Sequence, residues 1–126
     1  MYDLRIVLCD DSMLVRKKLK DALTDKGFTQ LFEAVDGEQA VALCLKENPD
    51  LVLLDITMPK MDGLEALQEI KMNNPSIKVV IASSLGTQAN LMKAIKLGAD
   101  NFLQKPIEIE AILDILHKIS KQRGER

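Results

Sequence analysis

Three stretches of this 126-residue chain are continuously aliphatic, and they constrain its fold more than any other feature. They read IVLC from Ile6, LVLL from Leu51 and VVIA from Val79. A strand with one face in solvent alternates apolar and polar residues, whereas a strand of a parallel sheet is covered by helices on both faces and is apolar throughout. With two further short runs, the predicted strands are 4–9, 30–34, 51–54, 78–82 and 101–103.

The segments between these runs have the spacing of amphipathic helices. Leu64, Leu67 and Ile70 recur at three-residue steps, and a wider apolar stripe runs through residues 109–119. Five such segments alternate with the five predicted strands. This alternation predicts an α/β fold with a parallel sheet.

Residues that start and stop helices agree with this prediction. Ser12 and Asp36 are candidate N-caps, and Gly27 and Gly98 look like the glycines that end helices. The whole chain is expected to form one domain, and the charged residues 121–126 are expected to be a flexible tail.

Composition excludes several classes of function. The net charge of -2, from 17 basic and 19 acidic residues, gives no electrostatic case for binding nucleic acid or a membrane surface. The N-terminus lacks a signal-peptide pattern, and the longest uncharged stretch, 79–92, is too short and too polar to span a bilayer. We therefore expect a cytoplasmic protein in which Cys9 and Cys44 are buried thiols.

Polar side chains follow four of the five predicted strands. The first strand leads to Asp10 and Asp11, the third to Asp55, the fourth to Ser83 and the fifth to Lys105. The second strand leads to what looks like a plain turn. Ligands of doubly wound sheets bind beyond the carboxyl ends of the strands. If these strands are close, three carboxylates, a hydroxyl and an ammonium group converge on one edge of the sheet.

Three acids at one place repel one another unless a cation lies among them. Oxygen ligands without a nearby histidine or cysteine favour a hard ion, Mg²⁺ rather than zinc. The lone histidine, His117, falls near the end of the last predicted helix and is expected on the surface. A partly hydrated Mg²⁺ suits a phosphoryl ligand, whose other oxygens could contact Lys105 and Ser83.

Each of these residues also has an ordinary structural explanation. A pair of aspartates after a strand is often a helix cap, a serine is often a turn residue, and a lysine is usually solvated. The convergence of all of them on one edge is what favours a functional site.

Four short blocks of sequence lie at these strand ends. They are Asp10-Asp11 after the first strand, DITMPKMDG at 55–63, Ser83 after the fourth strand and Lys105-Pro106 after the fifth. In this order they resemble the receiver domain of two-component response regulators, and the similarity covers residues 6–119. Because no effector or DNA-binding domain follows Arg126, the chain is most similar to the stand-alone kind typified by the chemotaxis regulator.

The resemblance implies a flavodoxin-like, doubly wound sheet of five strands in the order 2-1-3-4-5 with five helices. It also implies that Asp55 accepts a phosphoryl group from a phosphohistidine of a sensor histidine kinase or a histidine phosphotransfer protein. Mg²⁺ would be bound by Asp11, Asp55 and the backbone carbonyl of Thr57, with Asp10 acting largely through water. Such a domain is a signalling switch rather than an enzyme that acts on other substrates.

The family also implies a mechanism for the switch. Ser83 and Lys105 would hold the phosphoryl oxygens, and the Lys105-Pro106 bond would be cis. On phosphorylation Ser83 would move towards the phosphate, and Phe102, at the aromatic switch position, would turn inward. The face formed by the fourth helix, fifth strand and fifth helix would then change its affinity for a downstream protein. The protein itself would be a monomer, or a dimer that forms on phosphorylation. The alternative is that Phe102 is a plain core aromatic, since Phe buries well in either role.

Two other functions stay open on the sequence alone. One is a Mg²⁺-dependent phosphatase with an aspartyl-phosphate intermediate, although its usual pattern is Asp-x-Asp rather than Asp10-Asp11-Ser12. The other is a binding module of the same fold that works without phosphorylation, in which we would expect the acids or Lys105 to be replaced. The glycines form neither a GxGxxG motif nor a P-loop, which disfavours nucleotide binding.

Overall fold

The computed structural model describes residues 1–56, 58, 60–84, 88–122 and 124. Within these residues five strands alternate with five helices, which confirms the predicted α/β class. The elements are β1 (Arg5–Cys9), α1 (Met13–Asp25), β2 (Gln30–Ala34), α2 (Gly37–Glu47), β3 (Leu51–Asp55), α3 (Gly63–Asn73), β4 (Lys78–Ser83), α4 (Gln88–Lys96), β5 (Asn101–Gln104) and α5 (Ile109–Gln122).

The strands form one parallel sheet in the order β2-β1-β3-β4-β5. Val7 of β1 lies opposite Phe32 of β2 on one side and opposite Val52 of β3 on the other. β2 lies on one side of β1, and β3, β4 and β5 follow on the other side. The direction in which strands are added therefore reverses between β1 and β3. The predicted flavodoxin-like order is confirmed, and it places a ligand-binding crevice beyond the carboxyl ends of these strands.

The continuous apolar strands are explained by helices on both faces of the sheet. Successive side chains of a strand point to opposite faces. Val7 and Val52 pack into a core beneath α2, α3 and α4. Ile6 and Leu53, one residue away on the same strands, pack into a second core beneath α1 and α5. Burying each such side chain contributes roughly 1.5–3 kcal/mol, which is why the interior positions of these strands are apolar and polar residues stand only at their ends.

Three strands continue one residue beyond the predicted apolar runs. Asp55, Ser83 and Gln104 belong to β3, β4 and β5, because Asp55 still pairs with Ala82, and Ser83 with Gln104. The ladder is made by backbone groups and does not need an apolar side chain. The polar residue that ends each of these three strands is therefore held by the sheet itself.

The predicted starts of α1 and α2 and the predicted ends of α1 and α4 are confirmed. The side chains of Ser12 and Asp36 each accept a backbone hydrogen bond from the first turn of α1 and α2. Gly27 and Gly98 have φ of +104° and +99°, a left-handed backbone that favours glycine after a helix.

The remaining expectations concern surfaces and the C-terminus. Cys9 and Cys44 are buried, free thiols and His117 is exposed, all as predicted. None of the helices in the described residues is long and apolar enough to cross a bilayer. α5 runs to Gln122 and Gly124 lies in a turn, whereas 123, 125 and 126 of the expected tail are outside the described residues.

Candidate functional site

The carboxyl ends of β1, β3 and β5 bring two acids and one base together. Asp10 follows β1, Asp55 is the last residue of β3, and Lys105 follows β5. The Lys105 Nζ lies 2.7 Å from Asp10 Oδ2 and 3.3 Å from Asp55 Oδ1. Because β4 lies between β3 and β5, the long side chain of Lys105 has to extend past the end of β4 to contact Asp55. The convergence predicted from the strand ends is present for these three residues.

The backbone beneath the site is fixed by hydrogen bonds that continue the sheet. The Ile56 N–H donates to Ala82 O at 2.9 Å, and the Lys105 N–H donates to Ser83 O at 2.8 Å. Ser83 itself is only 2% exposed at the end of β4. It therefore lies between the strand that carries Asp55 and the strand that leads to Lys105, and its backbone is tied to the lysine.

Four polar groups of Asp10 are engaged. Its N–H donates to Ala34 O at 3.1 Å, and its C=O accepts from Arg16 Nη1 at 2.6 Å. Its Oδ1 accepts from the Ser12 N–H at 2.8 Å, while its Oδ2 accepts from Lys105 Nζ. Asp10 is 4% exposed and its orientation is set on all sides. The neighbouring Asp11 is exposed, so packing does not fix its carboxylate in the same way.

Electrostatics in the site disfavour two adjacent negative charges. Burial raises the pKa of the Asp55 carboxyl, and the nearby charge of Asp10 raises it further, while Lys105 opposes both effects. For Lys105, burial acts to lower the pKa, but its hydrogen bond with Asp10 and the charges of Asp55 and Asp10 prevail, so its pKa is raised. Lys105 therefore stays charged and compensates two acids at once.

The acids of this edge fit a hard divalent cation. Asp10, Asp11 and Asp55 each offer a carboxylate oxygen, and these oxygens lie within 4.8 Å of one another. Octahedral Mg²⁺, with ligands about 2.1 Å away, needs its oxygens no more than about 4.2 Å apart. The three acids are close to that spacing, and the exposed Asp11 is the one whose side chain is least fixed by packing. Thr57, whose carbonyl was expected to be a further ligand, lies outside the described residues.

Two glycines hold the segment after Asp55 against the sheet. A Cβ at Gly63 would collide with Asp55 O and lie 2.8 Å from the Cα of Ile56, and the Gly63 N–H donates to Ile56 O at 3.0 Å. A Cβ at Gly37 would collide in the same way with Met61 O. Only a residue without a side chain allows α2 and α3 to begin so close to this segment.

The turn after β2 is more than the plain turn suggested by the sequence. Asp36 is buried, and its carbonyl accepts a hydrogen bond from Cys9 Sγ at 3.3 Å. The Cys9 sulfur lies 3.2 Å from Met58 Sδ, and Lys60 Nζ is 3.9 Å from Asp36 Oδ2. Burial, with the charges of Asp36 and Asp10, raises the pKa of Cys9, so this residue is a packed thiol rather than a nucleophile.

Arg16 is a site-adjacent residue that the sequence interpretation missed. It is 9% exposed, and its guanidinium donates to Asp10 O and, at 3.1 Å, to Glu33 Oε1. A signal was present in the sequence: Arg16 shares one stripe of α1 with Leu19 and Leu23, at steps of three and four residues. A charged group in an apolar stripe has to find polar partners beneath its helix.

The remaining predicted residues lie where β5 meets the core. Phe102 is partly buried, pairs with Ile81 in the sheet, and packs against the core beneath α4. It thus borders both core and surface, and its role as a switch stays a prediction. The Lys105-Pro106 bond is cis, as the resemblance implied.

Comparison with known proteins identifies the class to which this fold and site belong. The sequence model of the response regulator receiver domain matches residues 6–117, and the chain belongs to this family. It is 42% identical over 118 residues to the chemotaxis protein CheY of Listeria monocytogenes, covering 94% of this chain and 99% of that protein. It is 38% identical over 117 residues to CheY of Thermotoga maritima, covering 93% and 98%.

A solved structure shares the same architecture. The CheX–CheY–BeF₃–Mg²⁺ complex of Borrelia burgdorferi contains a chain that matches with a TM-score of 0.84 and 33% identity, over 92% of this chain and 88% of that one. The predicted similarity to stand-alone, CheY-like receiver domains of two-component systems is therefore confirmed. Such domains are signalling domains rather than classical enzymes. The roles assigned to individual residues remain predictions.

Proposed function

We propose that this chain is a phosphorylation-activated switch that accepts a phosphoryl group on Asp55 from a sensor histidine kinase or a histidine phosphotransfer protein. The observation that carries the proposal is the position of Lys105 Nζ, 3.3 Å from the buried Asp55 carboxylate and 2.7 Å from Asp10. In this proposal the whole chain acts as one receiver domain. It is located in the cytoplasm with its phosphoryl donor, and it binds neither nucleic acid nor a membrane surface.

The reaction is a transfer between two side chains. An Asp55 carboxylate oxygen attacks the phosphorus of a phosphohistidine, the P–N bond breaks, and the released imidazole nitrogen takes up a proton. Asp55 becomes an acyl phosphate. Because β3 places the carboxylate at the end of a buried strand, the attacking oxygen is held in one direction, and most of the rate enhancement comes from positioning. Hydrolysis by water returns the carboxylate.

The surrounding residues bind the transferred group. Lys105 exchanges its contact with Asp55 for one with a phosphoryl oxygen, and Ser83 donates a hydrogen bond to another. Asp11, Asp55 and the backbone carbonyl of Thr57 would hold Mg²⁺, and the ion would supply positive charge to neutralise the phosphoryl oxygens. Asp10, whose carboxylate already has two protein partners, acts on the ion largely through water.

The signal leaves through the face formed by α4, β5 and α5. Lys105 and Ser83 are joined through the backbone, so a phosphate that holds both side chains acts on the end of β5. Phe102, two residues before Gln104 and packed beneath α4, then turns inward, and the face changes its affinity for a downstream protein. The CheX–CheY complex of the Borrelia relative supports a protein partner. The chain works as a monomer or as a dimer that forms on phosphorylation.

Chemical phosphorylation tests the proposal directly. With Mg²⁺ and acetyl phosphate or phosphoramidate, the intact mass should rise by one phosphoryl group that is lost at alkaline pH. Asp55→Asn keeps the shape but removes the nucleophile, so its mass should not change. Asp50→Asn, at the opposite end of β3, is the matched control and should be modified like the wild type. Equal modification of Asp55→Asn and the wild type would contradict the assignment.

A further inference from the structure

The buried guanidinium of Arg16 bridges two elements beside the candidate site. Nη1 donates to the carbonyl of Asp10 at 2.6 Å, and Nε donates to Glu33 of β2 at 3.1 Å. The arginine side chain is 10% exposed, and Glu33 also pairs with Lys20 at 3.3 Å. A planar guanidinium has donors fixed in a fork and can serve a carbonyl and a carboxylate together, which a lysine amine cannot do with the same geometry.

The carbonyl that Arg16 holds belongs to the peptide unit between Asp10 and Asp11. Because a peptide unit is planar, fixing its oxygen also fixes the direction in which the chain enters Asp11. Asp10 is held by three further partners, whereas the Asp11 side chain is exposed and depends on its backbone for its direction. The contact with Arg16 therefore bears on Asp11 more than on Asp10.

We propose that Arg16 is a positioning residue for Mg²⁺, acting through the Asp10-Asp11 peptide to aim the Asp11 carboxylate at the ion. This inference rests on the proposed function, since it requires the metal to bind among these acids. A purely electrostatic role predicts no loss of affinity in Arg16→Lys, because lysine keeps the positive charge that acts on the ion. A weaker affinity at unchanged charge therefore separates the positioning role from the electrostatic one.

Arg5 offers a matched control at the other end of β1. Its Nε donates to Glu47 O at 3.0 Å and its Nη2 lies 2.8 Å from Glu47 Oε2, so it too serves one carbonyl and one carboxylate. Arg5→Lys makes the same chemical change as Arg16→Lys and keeps the net charge. It lies far from the acids, so it reports the cost to the fold alone.

Magnesium titration by calorimetry on the wild type and both variants tests the inference. The dissociation constant of Arg16→Lys should rise about tenfold, the size typical of residues that orient metal ligands, and that of Arg5→Lys should be unchanged. An Arg16→Lys affinity equal to or tighter than the wild type would overturn the inference and leave the proposed function standing. Wild-type protein that does not bind Mg²⁺ would overturn both.

A second measurement uses only the wild type and does not depend on how the variants fold. Both Nε–H groups are hydrogen-bonded, so their NMR signals are protected from exchange. During the Mg²⁺ titration the Arg16 Nε–H signal should shift with the same midpoint as the Asp11 amide, and the Arg5 signal should stay still. An Arg16 signal that does not move while the Asp11 amide titrates would overturn the positioning role.

Discussion

The two ends of the parallel sheet use carboxylates in different ways. At the amino end, Asp50 Oδ2 accepts the Arg5 N–H at 2.7 Å. Asp100 Oδ2 accepts both the Val79 N–H and the Lys71 amine at 2.8 Å. These acids bind backbone donors at the starts of β1 and β4, and a lysine compensates the charge of Asp100. Each is therefore a structural group that fixes where a strand begins.

At the carboxyl end the acids compete for a cation. Lys105 contacts Asp10 and Asp55 together, Asp11 lies within reach of the same point, and the pKa of Asp55 is raised by burial and by Asp10. The comparison teaches that an acid at a strand end is not itself a sign of function. At the carboxyl end, three carboxylates lie beside one lysine and leave an excess of negative charge. This excess allows a metal ion to bind, and the metal ion in turn allows a phosphoryl group to bind.

The largest effect should come from breaking the amino end. Asp100→Ala removes the acceptor of the Val79 N–H and leaves Lys71, whose side chain is 14% exposed, without that carboxylate. Because the Val79 N–H loses a charged acceptor, the free energy of unfolding should fall by about 2–3 kcal/mol in urea titrations. Asp11→Ala, an exposed acid at the other end, should change it by less than about 0.5 kcal/mol. Similar losses in the two variants would contradict the difference between the ends.

Removing Lys105 should have a smaller effect that the metal can reverse. Lys105→Met leaves Asp10 and Asp55 facing each other and should cost about 2 kcal/mol in metal-free buffer. Because a bound Mg²⁺ supplies the missing charge, saturating Mg²⁺ should restore more stability to Lys105→Met than it adds to the wild type. The equivalent change at the amino end, Lys71→Met, should lose stability that Mg²⁺ does not restore. Equal recovery in both variants would show that the ion stabilises the fold nonspecifically.

The same variant tests the path from the site to the output face. Beryllofluoride mimics a phosphoryl group on Asp55, so in the wild type it should shift the amide signals of α4, β5 and α5. In Lys105→Met these signals should shift much less, although those beside Asp55 still respond. The reason is that the lysine no longer ties the phosphate to the end of β5. Equal shifts in both proteins would mean that the output face is coupled in another way.

The sequence predicted most of this arrangement because strand ends are strongly marked. The run Leu51 to Leu54 can end in a carboxylate only where the sheet ends, so Asp55 was placed from the pattern alone. The burial of Arg16 and of Asp36 was not foreseen, although Asp36 was predicted as a helix cap. Their burial depends on which elements pack together, since Arg16 finds Glu33 only when α1 lies across β2. A local sequence pattern predicts which residue stands at the end of a strand. Contacts between elements that are distant in sequence can be identified only from the three-dimensional structure.

The smallest effect should have the opposite sign from the others. Asp55→Asn removes a buried charge that Asp10 repels, so without Mg²⁺ it should raise the free energy of unfolding by about 1 kcal/mol near neutral pH. The pKa of Asp55 is higher in the folded than in the unfolded chain, so the folded state keeps the proton more tightly. The contribution of Asp55 to the stability of the wild type therefore falls as pH rises through its folded pKa, and the cost of its charge disappears below its unfolded pKa. The advantage of Asp55→Asn should shrink accordingly as urea titrations are repeated at lower pH. An Asp55→Asn protein less stable than the wild type at neutral pH would mean that Asp55, like Asp100, is a structural acid.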